Sequence, residues 1–223
     1  MLVPPCQSKK PSCGEGSHGL QSFLLETLAM LDVIREKLRK APRDRSAAPQ
    51  LTLAAVLMPL LYKDKELHIL LTKRTQTVKA HKGQISFPGG VRDPGDESLL
   101  ATALREAREE TGIKPEDVEV LGSLEPVNTA VSGFLVHTFV GHIPYPYPFQ
   151  LNSEEVAEIL LVPYQFLADA SHWYWRTFRS DHRTIQVYFV PYDRYIIWGA
   201  TARILKLFFE RNGIKMQIRP ALG

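Results

Sequence analysis

Apolar residues lie in blocks along the chain, and the spacing within each block indicates a strand or a helix. Residues 51–61 form a near-continuous apolar run, which is typical of a central strand buried on both faces. Shorter apolar or alternating runs predict further strands at 67–72, 85–87, 118–124, 134–143, 156–162 and 184–190.

Two later segments have the apolar spacing of helices. In segment 97–111 one apolar stripe recurs at helical intervals, and Gly112 then ends the helix. A closing helix is expected at about 201–211. Because strands lie on both sides of a single strong helix, the pattern predicts an α/β fold in which helices flank a mixed sheet.

The N-terminal region differs in composition from the rest. Residues 1–19 are rich in Pro, Gly, Ser and Lys, and we expect a disordered tail. Residues 20–45 are predicted to form an amphipathic helix and a basic linker, with 46–223 as one domain. The basic residues are either a solvated helix face and linker or a rim that attracts phosphates. The apolar stripe of this helix consists of Leu24, Leu28, Leu31, Ile34 and Leu38.

Composition and charge narrow the classes of function. The formal net charge of +3 does not by itself argue for nucleic-acid binding, and we expect no nucleic-acid partner. No run approaches the ~20 apolar residues that a membrane helix needs, and the N-terminus lacks the apolar core of a signal peptide. We therefore expect a cytoplasmic protein with no membrane partner and leave a homodimer open as its assembly state.

The most informative chemistry lies in segment 105–112. With about 100° per residue, Glu106 and Glu110 fall side by side on the helix, and Glu109 points further out. Clustered carboxylates repel each other, and a divalent cation is the natural compensator. Hard oxygen ligands favour Mg²⁺ or Mn²⁺ over Zn²⁺. Arg105 is placed to orient the carboxylates through charge-assisted hydrogen bonds.

If such a string stood alone, an ordinary solvated surface with salt bridges would be the favoured explanation. However, Gly89-Gly90 closes a strand just upstream, and a glycine loop lets the backbone approach a phosphate closely. The loop and the acidic helix together therefore favour a phosphate-handling metal site.

This arrangement resembles the signature of the Nudix family, in which Gly, five residues, Glu and seven residues precede Arg-Glu, an apolar residue, any residue, Glu-Glu, any residue, Gly and an apolar residue. Residues 105–113 match it, as does the spacing from Glu97, but Val91 stands where the opening glycine should be. The resemblance implies a Nudix-type α/β/α sandwich. It also implies that Glu106 and Glu110 bind Mg²⁺ or Mn²⁺ with Glu109 as a further ligand or the base. The catalytic set would be Glu109, Arg105 and Glu97.

Residues 70–90 resemble a second signature, that of the coenzyme A pyrophosphatase branch of the family, in its bacterial form. Two positions depart from it, because Thr75 replaces a smaller residue and Lys79 replaces an arginine. A basic cluster in this segment suits a substrate with several phosphate groups. The resemblance implies a small-molecule substrate, coenzyme A or a derivative, and substrate-binding roles for a set of residues: Arg74, Lys79, His81, Gly89 and Gly90.

Three other functions remain open. The first is a Nudix hydrolase for another nucleoside diphosphate, such as ADP-ribose or a dinucleotide, which needs only the acidic helix. The second is a Nudix-fold binding module without catalysis, and the third is RNA decapping. If the enzyme hydrolyses coenzyme A, the products are 3′,5′-ADP and 4′-phosphopantetheine, with Glu109 or Glu155 as the base.

Several aromatic residues are numerous enough to consider adenine stacking, but we interpret them as packing residues: Tyr145, Tyr147, Phe149, Trp173, Tyr174 and Trp175.

Overall fold

The structure, a computed structural model, describes residues 16–39, 51–76, 82–129, 133–180 and 183–221. Four α-helices lie in these ranges: α1 (Gly16–Arg39), α2 (Leu99–Thr111), α3 (Tyr164–Ala168) and α4 (Gly199–Arg211). The strands are β1 (Thr52–Lys63), β2 (Glu66–Arg74), β3 (Ile85–Ser86), β4 (Gly89–Val91), β5 (Glu119–Ser123), β6 (Val127–Asn128), β7 (Phe134–His142), β8 (Val156–Pro163), β9 (Tyr174–Ser180), β10 (Arg183–Tyr192), β11 (Tyr195–Trp198) and β12 (Arg219–Pro220).

Strand β1 is the centre of a mixed sheet. It pairs parallel with β7 along one edge and antiparallel with both β2 and β4 along the other. Leu57, Leu60 and Leu61 on β1 are fully buried, which confirms the predicted central strand. Because β2 takes the second half of that edge and β4 takes the first, the two strands separate beside the middle of β1. Gly89 and Gly90, which the sequence predicted to lie in a loop, form part of strand β4 at this separation and pair with Val56 and Ala55 of β1.

Helices cover both faces of the mixed sheet. On one face, α2 packs Ala103 and Ala107 against Leu57 and its neighbours on β1. On the other face, α1 and α4 contribute to a larger apolar core, with Phe208 and Phe209 of α4 at full burial. The α/β/α sandwich is therefore confirmed.

A second, four-stranded sheet was not predicted. Its order is β11-β10-β9-β12, whereas the sequence indicated only the strand at 184–190. Strand β9 mixes aromatic residues with Arg, Thr and Ser, so it lacks the aliphatic run that marks a buried strand. It is held by its pairing with β10, which a local pattern does not reveal.

Helix α1 begins at Gly16, earlier than the predicted start at residue 20. Leu31, Ile34 and Leu38 are buried as the stripe predicted, but Leu28 is exposed. The helix packs on β5, where a Cβ on Gly122 would lie 2.6 Å from the Cβ of Leu38. Residues 1–15 and the basic linker at 40–50 lie outside the described residues. Among the described helices, none combines the length and apolar character that a bilayer crossing requires.

Candidate active site

Helix α2, which packs on β1, carries the acidic residues of the site. Ser98 is its N-cap, with an extended backbone and an Oγ that accepts a hydrogen bond from the Ala101 amide at 3.1 Å. Gly112 ends the helix in the left-handed conformation, at a φ of 76°. The expectation that Glu97 begins the helix is wrong, because Ser98 takes the capping position and Glu97 lies exposed before it. The catalytic role of Glu97 stays a prediction.

Glu110 is the most buried carboxylate of the site, at 2 % exposure. Its Oε2 accepts a hydrogen bond from the Gly89 amide at 3.3 Å, and its Oε1 lies 3.4 Å from Nη1 of Arg74. Burial raises the pKa of Glu110 to about 8, and the neighbouring Glu106 and Glu155 also raise it, against the opposing effect of Arg74. A buried carboxyl among like charges is a site that a cation would relieve.

Glu106 lies one helical turn before Glu110 and faces Gly90 of β4. A Cβ on Gly90 would lie 2.5 Å from Oε1 of Glu106, so only glycine leaves room for this carboxylate. Burial raises the pKa of Glu106, with Glu109 and Glu155 acting in the same direction and Arg105 acting against them. Strand β4 and helix α2 therefore pack closely at Glu106 and Glu110, through Gly90 and Gly89.

Arg105 ties the carboxylates to the preceding loop. Its guanidinium donates two hydrogen bonds to Asp96, at 3.0 and 3.1 Å, in the bidentate geometry that arginine favours. Nη1 of the same group donates to Glu106 at 2.9 Å and to Glu109 at 3.0 Å. These contacts hold Arg105 in one orientation and fit a positioning role.

Asp96 is the site residue that sequence reasoning missed. It is nearly buried, and it also accepts hydrogen bonds from the Thr102 hydroxyl at 2.8 Å and from the Asp93 amide at 2.9 Å. The hydrogen bonds from Arg105 hold the pKa of Asp96 well below its usual range. A signal was present, because five residues separate Gly90 from Asp96, as in the family signature. The extra residue therefore follows Asp96, and Gly90 is the opening glycine.

The structure brings together most of the residues that the sequence singled out. Glu110 contacts Arg74 and Gly89, and Glu106 lies against Gly90. Glu109 lies at the rim, 56 % exposed, with its carboxylate held by Arg105.

Glu155, from the loop before β8, also lies close enough to raise the pKa of both buried glutamates. Lys79 and His81 lie outside the described residues. Within the described ranges, no three His, Cys, Asp or Glu side chains converge at metal-binding distance.

A cavity of about 630 Å³ adjoins the acidic site. Arg74 and Gly89, which contact Glu110, line it together with Gly90, which lies against Glu106; the two glutamates themselves are not among its lining residues. One wall is the mixed sheet, with Val56 and Phe134. The opposite wall is formed by β10, the end of β11 and the start of α4, and is largely apolar: Ile185, Val187, Tyr188, Trp198, Ala200 and Thr201.

The family model described as the NUDIX domain matches residues 51–181. The chain belongs to the Nudix family. It is an enzyme, a pyrophosphohydrolase, and Nudix hydrolases generally use divalent metal ions. The matched range ends before β10, so the apolar wall of the cavity lies beyond it.

Curated relatives agree with this assignment. The chain is 43 % identical over 152 residues to the uncharacterized Nudix hydrolase NudL of Photorhabdus laumondii, which covers 68 % of this chain and 80 % of the relative. It is 41 % identical over 161 residues to the protein of the same name from Yersinia enterocolitica, with 72 % and 82 % covered. Among solved structures, a MutT/nudix family protein from Enterococcus faecalis is 16 % identical, covers 94 % of this chain and 78 % of that one, and has a TM-score of 0.48.

Proposed function

We propose that this Nudix enzyme hydrolyses the diphosphate bond of coenzyme A or a coenzyme A derivative, with Mg²⁺ or Mn²⁺ as cofactor. The observation that carries the proposal is that Arg74 and Gly89 both contact the buried Glu110 and line the adjoining 630 Å³ cavity. One end of that space suits a cation and a diphosphate, and the other suits a bulky organic group.

The residues present fit a hard divalent cation. Glu110 is buried, Glu106 is partly buried one turn before it, and the lack of a side chain on Gly90 leaves room for the Glu106 carboxylate. We assign metal binding to Glu106 and Glu110, with Glu109 as a further ligand. Carboxylate oxygens are the ligands that Mg²⁺ and Mn²⁺ prefer. The cation, when bound, neutralises charge on the diphosphate and makes water more acidic.

A carboxylate of the chain would take the proton of the attacking water. The water oxygen forms a bond to phosphorus, the bond from that phosphorus to the bridging oxygen breaks, and the water proton passes to the base. Glu109 and Glu155 are the two candidates. We favour Glu155, because Glu109 is 56 % exposed and held by Arg105, whereas the charge of Glu155 acts on both Glu106 and Glu110 and raises the pKa of each.

Replacing each candidate base by glutamine separates the two. We expect Glu155→Gln to lower kcat by about a hundredfold or more, which is the usual contribution of a general base. Glu109→Gln should lower kcat much less and leave the pH profile of kcat intact. A larger loss in Glu109→Gln, with its acidic limb abolished, would assign the base to Glu109 instead.

The substrate assignment rests on the segment that resembles the coenzyme A pyrophosphatase branch. Arg74 of that segment contacts the buried carboxylate of Glu110 and lines the cavity, where it can bind a phosphate oxygen. Lys79 and His81 of the same segment are proposed to contribute further charge for the additional phosphate of coenzyme A. The expected products are 3′,5′-ADP and 4′-phosphopantetheine.

A substrate panel tests this proposal. The full chain is incubated with Mg²⁺ or Mn²⁺ and with coenzyme A, acetyl-coenzyme A, ADP-ribose, a dinucleoside polyphosphate and capped RNA, and products are identified by mass spectrometry. We expect the highest kcat/KM on coenzyme A or its thioester. Equal kcat/KM on ADP-ribose would contradict the substrate assignment. The absence of product from every diphosphate would indicate a binding module without catalysis.

A further inference from the structure

Three aromatic rings form a row across the second sheet. Phe189 on β10 pairs with Tyr174 on β9 and with Trp198 on β11 in the strand register. The ring centroids of Tyr174 and Phe189 are 5.2 Å apart, those of Phe189 and Trp198 are 6.1 Å apart, and each pair of planes meets at 7°. The three rings are therefore nearly parallel, and Trp198 stands at one end of the row.

Trp198 ends the row because β11 is the edge strand of that sheet. Phe189 covers one face of its indole ring, while 42 % of the residue remains exposed. Trp198 lines the same cavity as Gly89 and Arg74, which contact the buried Glu110, and Gly90, which lies against Glu106. The indole ring of Trp198, the last ring of the row, therefore borders the cavity next to the proposed diphosphate site.

A tryptophan that serves only packing has different surroundings in this chain. Trp173 is 3 % exposed, and its indole Nε1 donates a hydrogen bond to the carbonyl of Leu167 at 2.9 Å. Burial of the ring and satisfaction of the N–H are the usual features of a structural tryptophan. The partial exposure of Trp198 at a cavity wall instead suits a ring that receives a ligand.

We propose that the purine base of the substrate stacks on the outer face of Trp198, which makes this residue a determinant of substrate binding. The inference rests on the proposed function, because it takes the substrate to be an adenine nucleotide derivative. A base in this position extends the row of parallel rings by one member. The row also holds the indole plane in place before the ligand arrives, so little side-chain freedom is lost on binding.

The direct test is tryptophan fluorescence, measured without metal so that no hydrolysis is needed. Adenosine 3′,5′-bisphosphate is titrated into the protein, with ribose 5-phosphate as the probe that lacks a base. We expect the adenine compound alone to quench the wild-type signal. The quenching should disappear in Trp198→Phe, which removes the reporting indole, and persist in Trp175→Phe, the matched control on β9. Equal quenching in both variants, or none in the wild type, would overturn the proposal.

Kinetics on any nucleotide substrate that the wild type cleaves provide the second test. Trp198→Leu keeps an apolar side chain but removes the ring, and we expect KM to rise by about tenfold with kcat nearly unchanged. Trp198→Phe retains a stacking face and should restore most of the loss. A fall in kcat with unchanged KM, or an equal rise of KM in Trp175→Leu, would show that the ring acts only in packing. Because the fluorescence test uses no turnover, its result separates this proposal from the proposed activity.

Discussion

The acidic site and the β10–β11 wall of the adjoining cavity are built from opposite kinds of chemistry. In the acidic site, helix α2 carries a buried Glu110 and a partly buried Glu106, a setting that charged groups disfavour. On the β10–β11 side, stacked rings and aliphatic residues are stable without any ligand. The acidic site therefore depends on a cation for its full stability, whereas the aromatic wall is preformed. We expect changes in the first to alter turnover and changes in the second to alter binding.

The strongest way to break this division is to remove the buried charge. Glu110→Gln keeps the size of the side chain but removes a carboxylate ligand, so turnover should fall by orders of magnitude with the fold intact. Steady-state kinetics with Mg²⁺, together with circular dichroism, measure both effects. Glu116→Gln, an exposed carboxylate outside the site, is the matched control. Near-normal turnover in Glu110→Gln would remove Glu110 from the mechanism.

A smaller loss is expected when the support of the carboxylates is weakened. Asp96→Asn removes the charge that fixes Arg105 through two hydrogen bonds, and we expect kcat to fall by about ten- to a hundredfold, as for other residues that orient metal ligands. Asp93→Asn is the control, because Asp93 is exposed and its Oδ2 lies 3.7 Å from Nη2 of Arg105. Equal losses in the two variants would contradict the positioning role of Asp96.

On the aromatic wall, the effect should appear in KM. Val187→Phe adds volume to the cavity side of β10, and we expect KM for coenzyme A to rise severalfold while kcat and the metal dependence stay near the wild-type values. Val120→Phe makes the same change on the exposed surface of β5, away from the cavity. If Val187→Phe lowers kcat instead, the aromatic wall does not act separately from the acidic site.

The smallest expected effect is a change of stability with pH. In the metal-free protein, burial raises the pKa of Glu110 from 4.5 to about 8. The stability that the protonated form contributes is therefore complete below about pH 4.5 and is lost as the pH rises through about 8.

Melting curves in a chelator, recorded from acid to alkaline pH, test this linkage. Glu110→Gln mimics the protonated form of the side chain. Its Tm should therefore exceed that of the wild type by a margin that grows with pH and reaches roughly a few degrees at alkaline pH. A Tm difference that does not depend on pH would mean that Glu110 is not the group that titrates.

How much could be predicted from the sequence also differs between the acidic site and the aromatic wall. The acidic part is local, since Glu106 and Glu110 lie on one helix, capped by Gly112, whose spacing is visible in the chain. Asp96 was missed because one more residue separates it from Arg105 than the family signature has, so the spacing pointed to Glu97 instead. The aromatic wall depends on pairing between β9, β10 and β11, and Trp198 meets Phe189 only through that register. Pairing across strands leaves little trace in a linear pattern.

Direct binding of Mn²⁺ is the measurement that bears most closely on the central claim. The free Mn²⁺ signal in electron paramagnetic resonance is followed as protein is added, with adenosine 3′,5′-bisphosphate present. We expect the wild type and Glu116→Gln to bind Mn²⁺ equally, and Glu110→Gln to bind it more weakly by about tenfold or more. Equal binding by Glu110→Gln and the wild type, or no binding by the wild type, would contradict the assignment of Glu106 and Glu110 as the metal site.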